Sequence, residues 1–481
     1  MLENKPISLS ISNKPTCASK VILIEKKSAT TDMGFNPWEV ADLNKSAENG
    51  SFISVFREEG DTKIVSQIDK LGSKDNFKSK EEVRKAGAQI LSEIKKLQIE
   101  SICLTSALSS DAYLIQLAEG LLLANYQFLT YKSEKKTNSL AKINIVSSTI
   151  TSKEIEELNE VVTATYFART FVNEPVITLT AKRFSEEIAK LGKLANFDVK
   201  VLNKEEIIKE KMAGLLAVNS GSQDPPTFTI MEYKPKGAKN TQPYVLVGKG
   251  VVYDTGGLSL KPTAGSMDTM KSDMAGAAAV AGAIYAIAKN ELPIHVIGLI
   301  PATDNRPGEM AVTPGDVITY ANGKTAEILN TDAEGRLILA DALSYASQYK
   351  PALVMDFATL TGAQVMAMGI YGAAIMGTAS EEEMTNLKKV GFEAFERVHE
   401  MPFWEEYGEL IKSDIADIKN IGGREGGCIT AGKFLEHFVD YPWIHMDIAG
   451  PSFYTSNDGY RLKGGTGFGV RLIYDFLKSK I

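Results

Sequence analysis

Histidine is scarce in this 481-residue chain: it has four, and none falls in an H-E-x-x-H arrangement. That excludes the helical two-histidine zinc site. Cysteine is scarcer still. Cys17, Cys103 and Cys428 lie far apart, a spacing that makes neither a disulfide framework nor a zinc ribbon. Positive charge is not in excess: 53 Lys and Arg against 60 Asp and Glu leave a net charge of −7. A whole-protein positive field for nucleic acid is therefore not expected. No apolar run reaches the ~20 residues of a membrane span. The longest, residues 274–288, is mostly Ala and Gly, and residues 361–380 are broken by Gly362, Gly369, Gly372 and Gly377. The opening MLENKPISLS lacks the charged-then-apolar pattern of a secretory signal. The expected setting is a reducing cytoplasm, with no membrane and no nucleic acid as partner.

What the chain does have is an ordinary globular balance, 44% apolar and 23% charged, over a length that suits two domains. Residues 1–150 carry short β-rich runs at 22–24, 102–104 and 143–146, a helical pattern at 82–97, and Lys-rich connectors at 70–80 and 132–136. This predicts a small α/β domain. A connecting helix over about 151–174 follows, stopped by Asn173-Glu174-Pro175. Beyond Phe184, strands are predicted at 244–247, 294–300, 353–357, 373–376 and 443–448. Helices are predicted at 273–288, 337–348, 381–399, 430–438 and 470–476. A hairpin with Asn322-Gly323 at its tip adds antiparallel strands. The expected fold is α/β: a small N-terminal domain, then a larger domain over 151–481 with a mixed, mostly parallel sheet flanked by helices.

Ligands of an open α/β sheet gather outside the carboxyl ends of its strands. Three polar segments belong there. Lys249 ends an apolar strand and is followed by Asp254 and Lys261; Met270-Lys-Ser-Asp273 opens an Ala/Gly-rich helix; Asn330-Thr-Asp-Ala-Glu-Gly-Arg336 precedes another helix. Asp273 and Asp332 each stand where helix N-caps occur, and capping would account for either alone. Asp254-Thr-Gly-Gly257 fits a turn. A Gly-rich loop before a helix can cradle phosphate, but no G-x-x-x-x-G-K-[ST] or G-x-G-x-x-G follows a strand here.

Taken together, Asp254, Asp273, Asp332 and Glu334 would meet at one sheet edge, and clustered carboxylates do not all ionise uncompensated. Two divalent cations, spaced ~3.5–4 Å in oxygen-rich pairs, supply the compensation. In an extended segment, Asp332-x-Glu334 could address both. Lys249 coordinates only as a neutral amine, the form that adjacent cations favour. Such ligands suit Mn²⁺, Mg²⁺ or Zn²⁺. The histidines do not compete: His295 and His445 sit in apolar strands, His399 and His437 near helix ends.

These segments closely resemble the leucine aminopeptidase (cytosol aminopeptidase) family of two-metal exopeptidases. Asn330-Thr-Asp-Ala-Glu-Gly-Arg-Leu337 is that family's signature, and Lys249-Gly-x-x-x-Asp-Thr-Gly-Gly257 precedes it at the family's distance. Asp356-Phe-Ala-Thr-Leu-Thr-Gly362, Asp447-Ile-Ala-Gly450 and Gly465-Thr-Gly-Phe-Gly469 add to the match. The resemblance covers roughly residues 165–481; the first 150 match only in length and general character. After Gly450, Pro451-Ser-Phe-Tyr454 departs from the family's pattern.

The resemblance implies a peptidase that removes leucine or another apolar residue from the N-terminus of short peptides. Lys249, Asp254, Asp273, Asp332 and Glu334 would hold two metal ions, with Asp254 and Glu334 bridging. Lys261 and Arg336 would be catalytic, and Arg336 would hold a bicarbonate that shuttles protons. A metal-bound bridging hydroxide would attack. Met270, Thr359 and Gly362 would line the side-chain pocket. A cytoplasmic homohexamer of two stacked trimers is the family's assembly. Two other readings remain open: a two-metal phosphoesterase, since bridged metals also cleave phosphate esters, and a non-enzymatic nucleic-acid-binding or regulatory protein, for which the Lys-rich connectors are the support.

Overall fold

The computed structural model describes residues 1–3, 6–49, 52–69, 76–108 and 110–481. The chain forms two compact units. One contains Glu3–Tyr166 and Ser456–Leu462; the other contains Met1–Leu2, Phe167–Thr455 and Lys463–Ile481.

The first unit runs β1 (Ser8–Ser12), β2 (Ser19–Glu25), α1 (Pro37–Glu48), β3 (Ile53–Glu58), β4 (Asp61–Ile68), α2 (Asn76–Leu97), β5 (Ser101–Ser106), α3 (Tyr113–Ala124) and β6 (Lys142–Val146). Among the described residues these strands pair in the order β1-β6-β5-β2-β4-β3, parallel except for β3 against β4. Alternate strand residues point to one face, so Val21, Leu23, Ile102, Leu104, Ile143 and Ile145 gather in one core with Val83, Ile90, Leu117 and Leu121 of α2 and α3. The excursion Ser456–Leu462 seals this unit: Tyr460 is buried and donates to Glu81 at 2.8 Å, and Arg461 pairs with the same carboxylate at 2.6 Å. Of the Lys-rich connector expected over 70–80, residues 70–75 lie outside the described residues and the remainder begins α2.

The cysteine expectation is amended in one respect. Cys17 and Cys103 form a disulfide, with Cα atoms 5.5 Å apart across a sequence separation of 86; Cys428 is free and buried. Sequence spacing hid the pair because β2 and β5 are sheet neighbours, with Lys20 opposite Cys103, so the chain entering β2 passes that sulfur.

Helix α4 (Ser152–Asn173) matches the predicted connecting helix, and Pro175 cannot extend it. The second unit continues through α5 (Ala181–Ala195), β7 (Asp198–Leu202), α6 (Lys204–Lys209), α7 (Ala213–Asn219), β8 (Thr227–Tyr233), β9 (Tyr244–Gly248), β10 (Gly250–Asp254), α8 (Ala275–Lys289) and β11 (Val296–Asn305). Next come β12 (Val317–Thr319), β13 (Thr325–Glu327), α9 (Gly335–Ala346), β14 (Leu353–Ala358), α10 (Gly362–Met368), β15 (Ala373–Gly377) and α11 (Glu381–Ala394). The chain closes with β16 (Val398–Glu400), α12 (Glu406–Glu409), β17 (Ile418–Lys419), α13 (Gly427–Glu436), β18 (Trp443–Asp447) and α14 (Val470–Lys478).

The main sheet has the order β16-β15-β18-β14-β9-β11-β8-β7, with β10 paired to β11. Its centre, β18-β14-β9-β11, is parallel; β15, β8 and β7 bring in antiparallel pairing. Both faces of the centre are covered, which is why β9 and β14 read as near-continuous apolar runs. Val245 and Val247 pack with Leu339 and Leu343 of α9, while Gly248 faces Ala277 of α8. The Ala/Gly-rich composition of α8 has a steric cause: a Cβ on Gly276 would stand 1.9 Å from Phe357 O. Only a bare backbone lets the helix come this close to β14.

Two local expectations are corrected. The helix predicted over 381–399 stops at Ala394, because Phe395 adopts a left-handed conformation (φ 54°) and residues 398–400 instead add β16 to the sheet edge. The Asp332-Ala-Glu334 segment is not extended. Asn330 Oδ1 accepts the Asp332 N–H at 2.8 Å and folds it into a turn before α9. The Asn322-Gly323 hairpin forms as expected, with Gly323 at φ 85° between β12 and β13.

Candidate metal centre

The carboxyl ends of β9, β10, β11, β14 and β18 converge, and the chemistry-bearing residues stand there. Lys249 immediately follows β9, Asp254 ends β10, Thr359 follows β14 and Asp447 ends β18. Asp273 follows a short 3₁₀ helix, Met267–Ser272, and leads into α8, whereas Asp332 and Glu334 lead into α9. The approach of α9 is again steric: a Cβ on Gly335 would fall 2.5 Å from Lys249 Cε.

Neither helix is capped by a carboxylate side chain. Met274 stands at the N-cap of α8 and Glu334 at that of α9, and among the described residues neither makes a side-chain cap hydrogen bond. The side chains turn to the lysines instead. Lys249 Nζ lies 2.8 Å from Asp273 Oδ1 and 2.8 Å from Glu334 Oε1, and it donates to Thr359 O at 2.9 Å. Lys261 Nζ lies 2.9 Å from Asp254 Oδ2 and 2.5 Å from Asp332 Oδ1. Lys249, Asp254, Asp273 and Glu334 are each at most 4% exposed. Carboxylate oxygens of Asp254, Asp332 and Glu334 lie within 4.8 Å of one another.

Burial and mutual repulsion set the electrostatics. Burial and the neighbouring Glu334 push the Asp254 carboxyl up to about 6, against the pull of Lys261 and Lys249. Burial raises Asp273 well above the usual range and raises Asp332 as well. Burial opposes ionisation of Glu334 too, but Lys249 and Lys261 hold it below its ordinary value. Burial disfavours both ammonium groups; the surrounding carboxylates outweigh it and raise both lysines. The neutral Lys249 amine expected from sequence would need adjacent cations. Among the carboxylates alone, the ammonium is the favoured form.

The donor set fits divalent cations. Two lysines offset only half of four clustered carboxylates, and among the described residues Asp273 Oδ2 and Glu334 Oε2 are buried without a hydrogen-bond partner. Buried carboxylate oxygens normally find partners. Oxygen donors of this kind are those of Mg²⁺, Mn²⁺ and Zn²⁺ sites. No histidine joins them. His295 meets Glu232 at 2.9 Å, and His445 Nδ1 meets Asp356 at 2.7 Å.

Arg336, on the first turn of α9, is buried. It donates through Nη1 to Asn420 O at 2.7 Å, its Nε has no partner among the described residues, and burial lowers its pKa to about 10. Of the expected pocket residues, Thr359 joins the centre directly, donating to Asp273 Oδ1 at 2.7 Å. Gly362 opens α10 and Met270 sits in the 3₁₀ helix before Asp273. Asp447 orders the loop between Thr359 and Gly362: it accepts the Leu360 N–H (3.1 Å), the Thr361 hydroxyl (2.6 Å) and the Ala449 N–H (3.2 Å). Sequence reading missed Asn305, which bonds Asp254 from the end of β11. The only signal available was its position, five residues beyond the predicted strand.

Comparison with known proteins agrees with this geometry. Residues 166–474 match the catalytic domain of the cytosol aminopeptidase family, and residues 71–135 match that family's N-terminal domain. A probable cytosol aminopeptidase of Chlorobium limicola is 43% identical over 474 residues, covering 93% of this chain and 92% of that protein. Its counterpart in Clostridium perfringens is 41% identical over 415 residues, 84% of each. Among solved structures, the bottromycin maturation enzyme BotP in complex with Mn superposes with a TM-score of 0.86 at 30% identity, covering 96% of this chain and all of that one. A tomato leucine aminopeptidase mutant gives 0.85 at 26% identity, covering 99% and 97%.

Proposed function

This chain belongs to the cytosol aminopeptidase family of metal-dependent peptidases, and from that we propose that it hydrolyses the N-terminal residue from short peptides, preferring leucine and other apolar residues. The observation that carries the reading is the buried cluster of Asp254, Asp273, Asp332 and Glu334 around Lys249 and Lys261, with two carboxylate oxygens left unpaired.

In this reading Lys249, Asp254, Asp273, Asp332 and Glu334 would hold two divalent ions (Mn²⁺, Zn²⁺ or Mg²⁺), and Asp254 and Glu334 are the residues that the resemblance implies would serve both. When bound, such ions supply an acidified water and an anchor for the substrate's free amine. Lys261 stands beside Asp254 and Asp332, so its side chain reaches the mouth of the cluster. It donates to the oxygen of the scissile carbonyl as negative charge builds there. Arg336, with a buried Nε that has no partner among the described residues, suits a small planar oxyanion; bicarbonate there would supply a proton carrier. Met270, Thr359 and Gly362 receive the N-terminal side chain, and Asp447 keeps the loop between Thr359 and Gly362 in place. We place the enzyme in the cytoplasm as a homohexamer, by its likeness to the family.

The test is hydrolysis of a leucine anilide by metal-stripped protein, with Mn²⁺, Zn²⁺ or Mg²⁺ added back separately. Metal-dependent release that is blocked by acylating the amine is the expected result. Two bound ions without hydrolysis would direct the search to another substrate class, phosphate esters first.

A further inference from the structure

Asn305 is the last residue of β11 and 2% exposed, and its side chain touches both loops that carry the carboxylate cluster. Its Nδ2 donates to Asp254 Oδ1 at 2.8 Å and to Thr331 O at 3.0 Å. Its backbone carbonyl accepts the Thr255 N–H at 3.0 Å and the Thr255 hydroxyl at 2.9 Å. The strand pairing explains the position. Asp254 stands opposite Asn305 in the β10–β11 ladder, after a register shift beyond Val251 that re-aims the end of β10.

We propose that Asn305 is a positioning residue that decides which oxygen of Asp254 is available to a metal ion. The proposal rests on the metal-centre reading above. Asp254 Oδ1 accepts two N–H groups, from Asn305 and from Gly256 at 2.8 Å. A carboxylate oxygen has two lone pairs, and here both are taken. Oδ2, on the Lys261 side, is the oxygen left to ligate. The same amide, through Thr331 O, holds the segment that delivers Asp332 and Glu334, so one side chain sets the spacing of ligands from two loops. A neutral amide suits the task. A lysine or arginine in its place would neutralise Asp254 and weaken its hold on a cation, and an aspartate would turn an acceptor toward an acceptor.

Partners that orient ligands contribute about 10–100-fold in metal affinity. The experiment is calorimetric titration of Mn²⁺ into metal-stripped wild type, Asn305→Ala and Asn305→Ser, with the unfolding midpoint of each metal-free protein measured alongside. Wild type taking two ions, with both variants weakened 10–100-fold while still folded, is the expected result. Asn305→Ser, the smaller perturbation, carries the test if the alanine variant fails to fold. Variants that bind two ions within twofold of wild type, with only a lowered metal-free midpoint, would reduce Asn305 to a packing role and overturn the proposal. Wild type that takes up no Mn²⁺ would instead overturn the metal-centre reading beneath it, a result distinct from either.

Discussion

The ammonium of Lys249 lies 2.8 Å from Glu334 Oε1, with both side chains almost wholly buried. A buried ion pair of this kind adds little net stability, because desolvation cancels most of the attraction. Its consequence is geometric: it holds the lysine that follows β9 against a carboxylate at the start of α9. In the proposed metal centre, uptake through Lys249 would require loss of the ammonium proton, which would couple affinity to pH.

Replacing Glu334 tests that arrangement. Glu334→Ala removes one of the two carboxylates on Lys249 and the oxygen shared by the proposed ion pair. Metal affinity and peptidase activity should both fall by more than ~100-fold. The metal-free protein should lose about 3 kcal/mol, since an under-compensated ammonium stays buried. Metal content of the dialysed variant, read beside its far-UV circular dichroism, checks this; an active variant carrying two ions would sink the assignment.

Lys261→Ala should behave differently. Lys261 pairs with Asp254 and Asp332 yet is more exposed than Lys249, so its loss leaves the ligands in place. Two ions should still bind, while kcat falls by about 10²–10³ with KM nearly unchanged, because the donor acts mainly in the transition state. A variant altered in KM alone would move Lys261 from catalysis to substrate binding.

These two residues also mark how far the sequence could be read. Lys249, Asp254, Asp273, Asp332 and Glu334 could be assembled because each follows a strand or precedes a helix with a recognisable pattern, and strand ends of one sheet meet. The strands themselves were legible where both faces are buried, as in β9, β14 and β18. The turn at Asn330 was not, since Asx geometry leaves no periodic trace. Asn305 lay beyond the apolar part of β11, where a buried amide looks like any loop residue. Cys17 and Cys103 are neighbours only through the pairing of β2 with β5, which no local pattern encodes.

A pH dependence follows from the floor of the sheet. Asp356 accepts His445 Nδ1 at 2.7 Å and Trp443 Nε1 at 2.7 Å, and all three side chains are fully buried. Burial disfavours the imidazolium, but Asp356 and, further off, Asp447 outweigh burial and Arg336, so the His445 pKa is raised above 6.5. With the folded value above the unfolded one, the stabilisation is fully present below pH 6.5 and is lost as pH rises through the raised value. Urea midpoints of metal-free wild type should therefore drop relative to those of His445→Gln as the pH is taken from 6.5 upward. A constant difference across that range would refute the charged pair.

The disulfide makes the last prediction. Joining Cys17 to Cys103 closes a loop of 86 residues in sequence separation, and chain entropy alone would set the stabilisation at about 4.6 kcal/mol. Disulfides typically contribute about 2–4 kcal/mol, so Cys17→Ser should cost about that much in urea unfolding of the oxidised protein. Dithiothreitol should bring wild type down to the variant and leave the variant unmoved. The proposed cytoplasmic setting bears on this bridge. In a reducing cytoplasm the pair rests as two thiols, and protein alkylated at lysis should carry label on Cys17. Protection of Cys17 from alkylation in freshly lysed cells would show that the bridge forms where the enzyme works. Three titratable thiols in the purified, air-oxidised, denatured protein would show that it does not form at all.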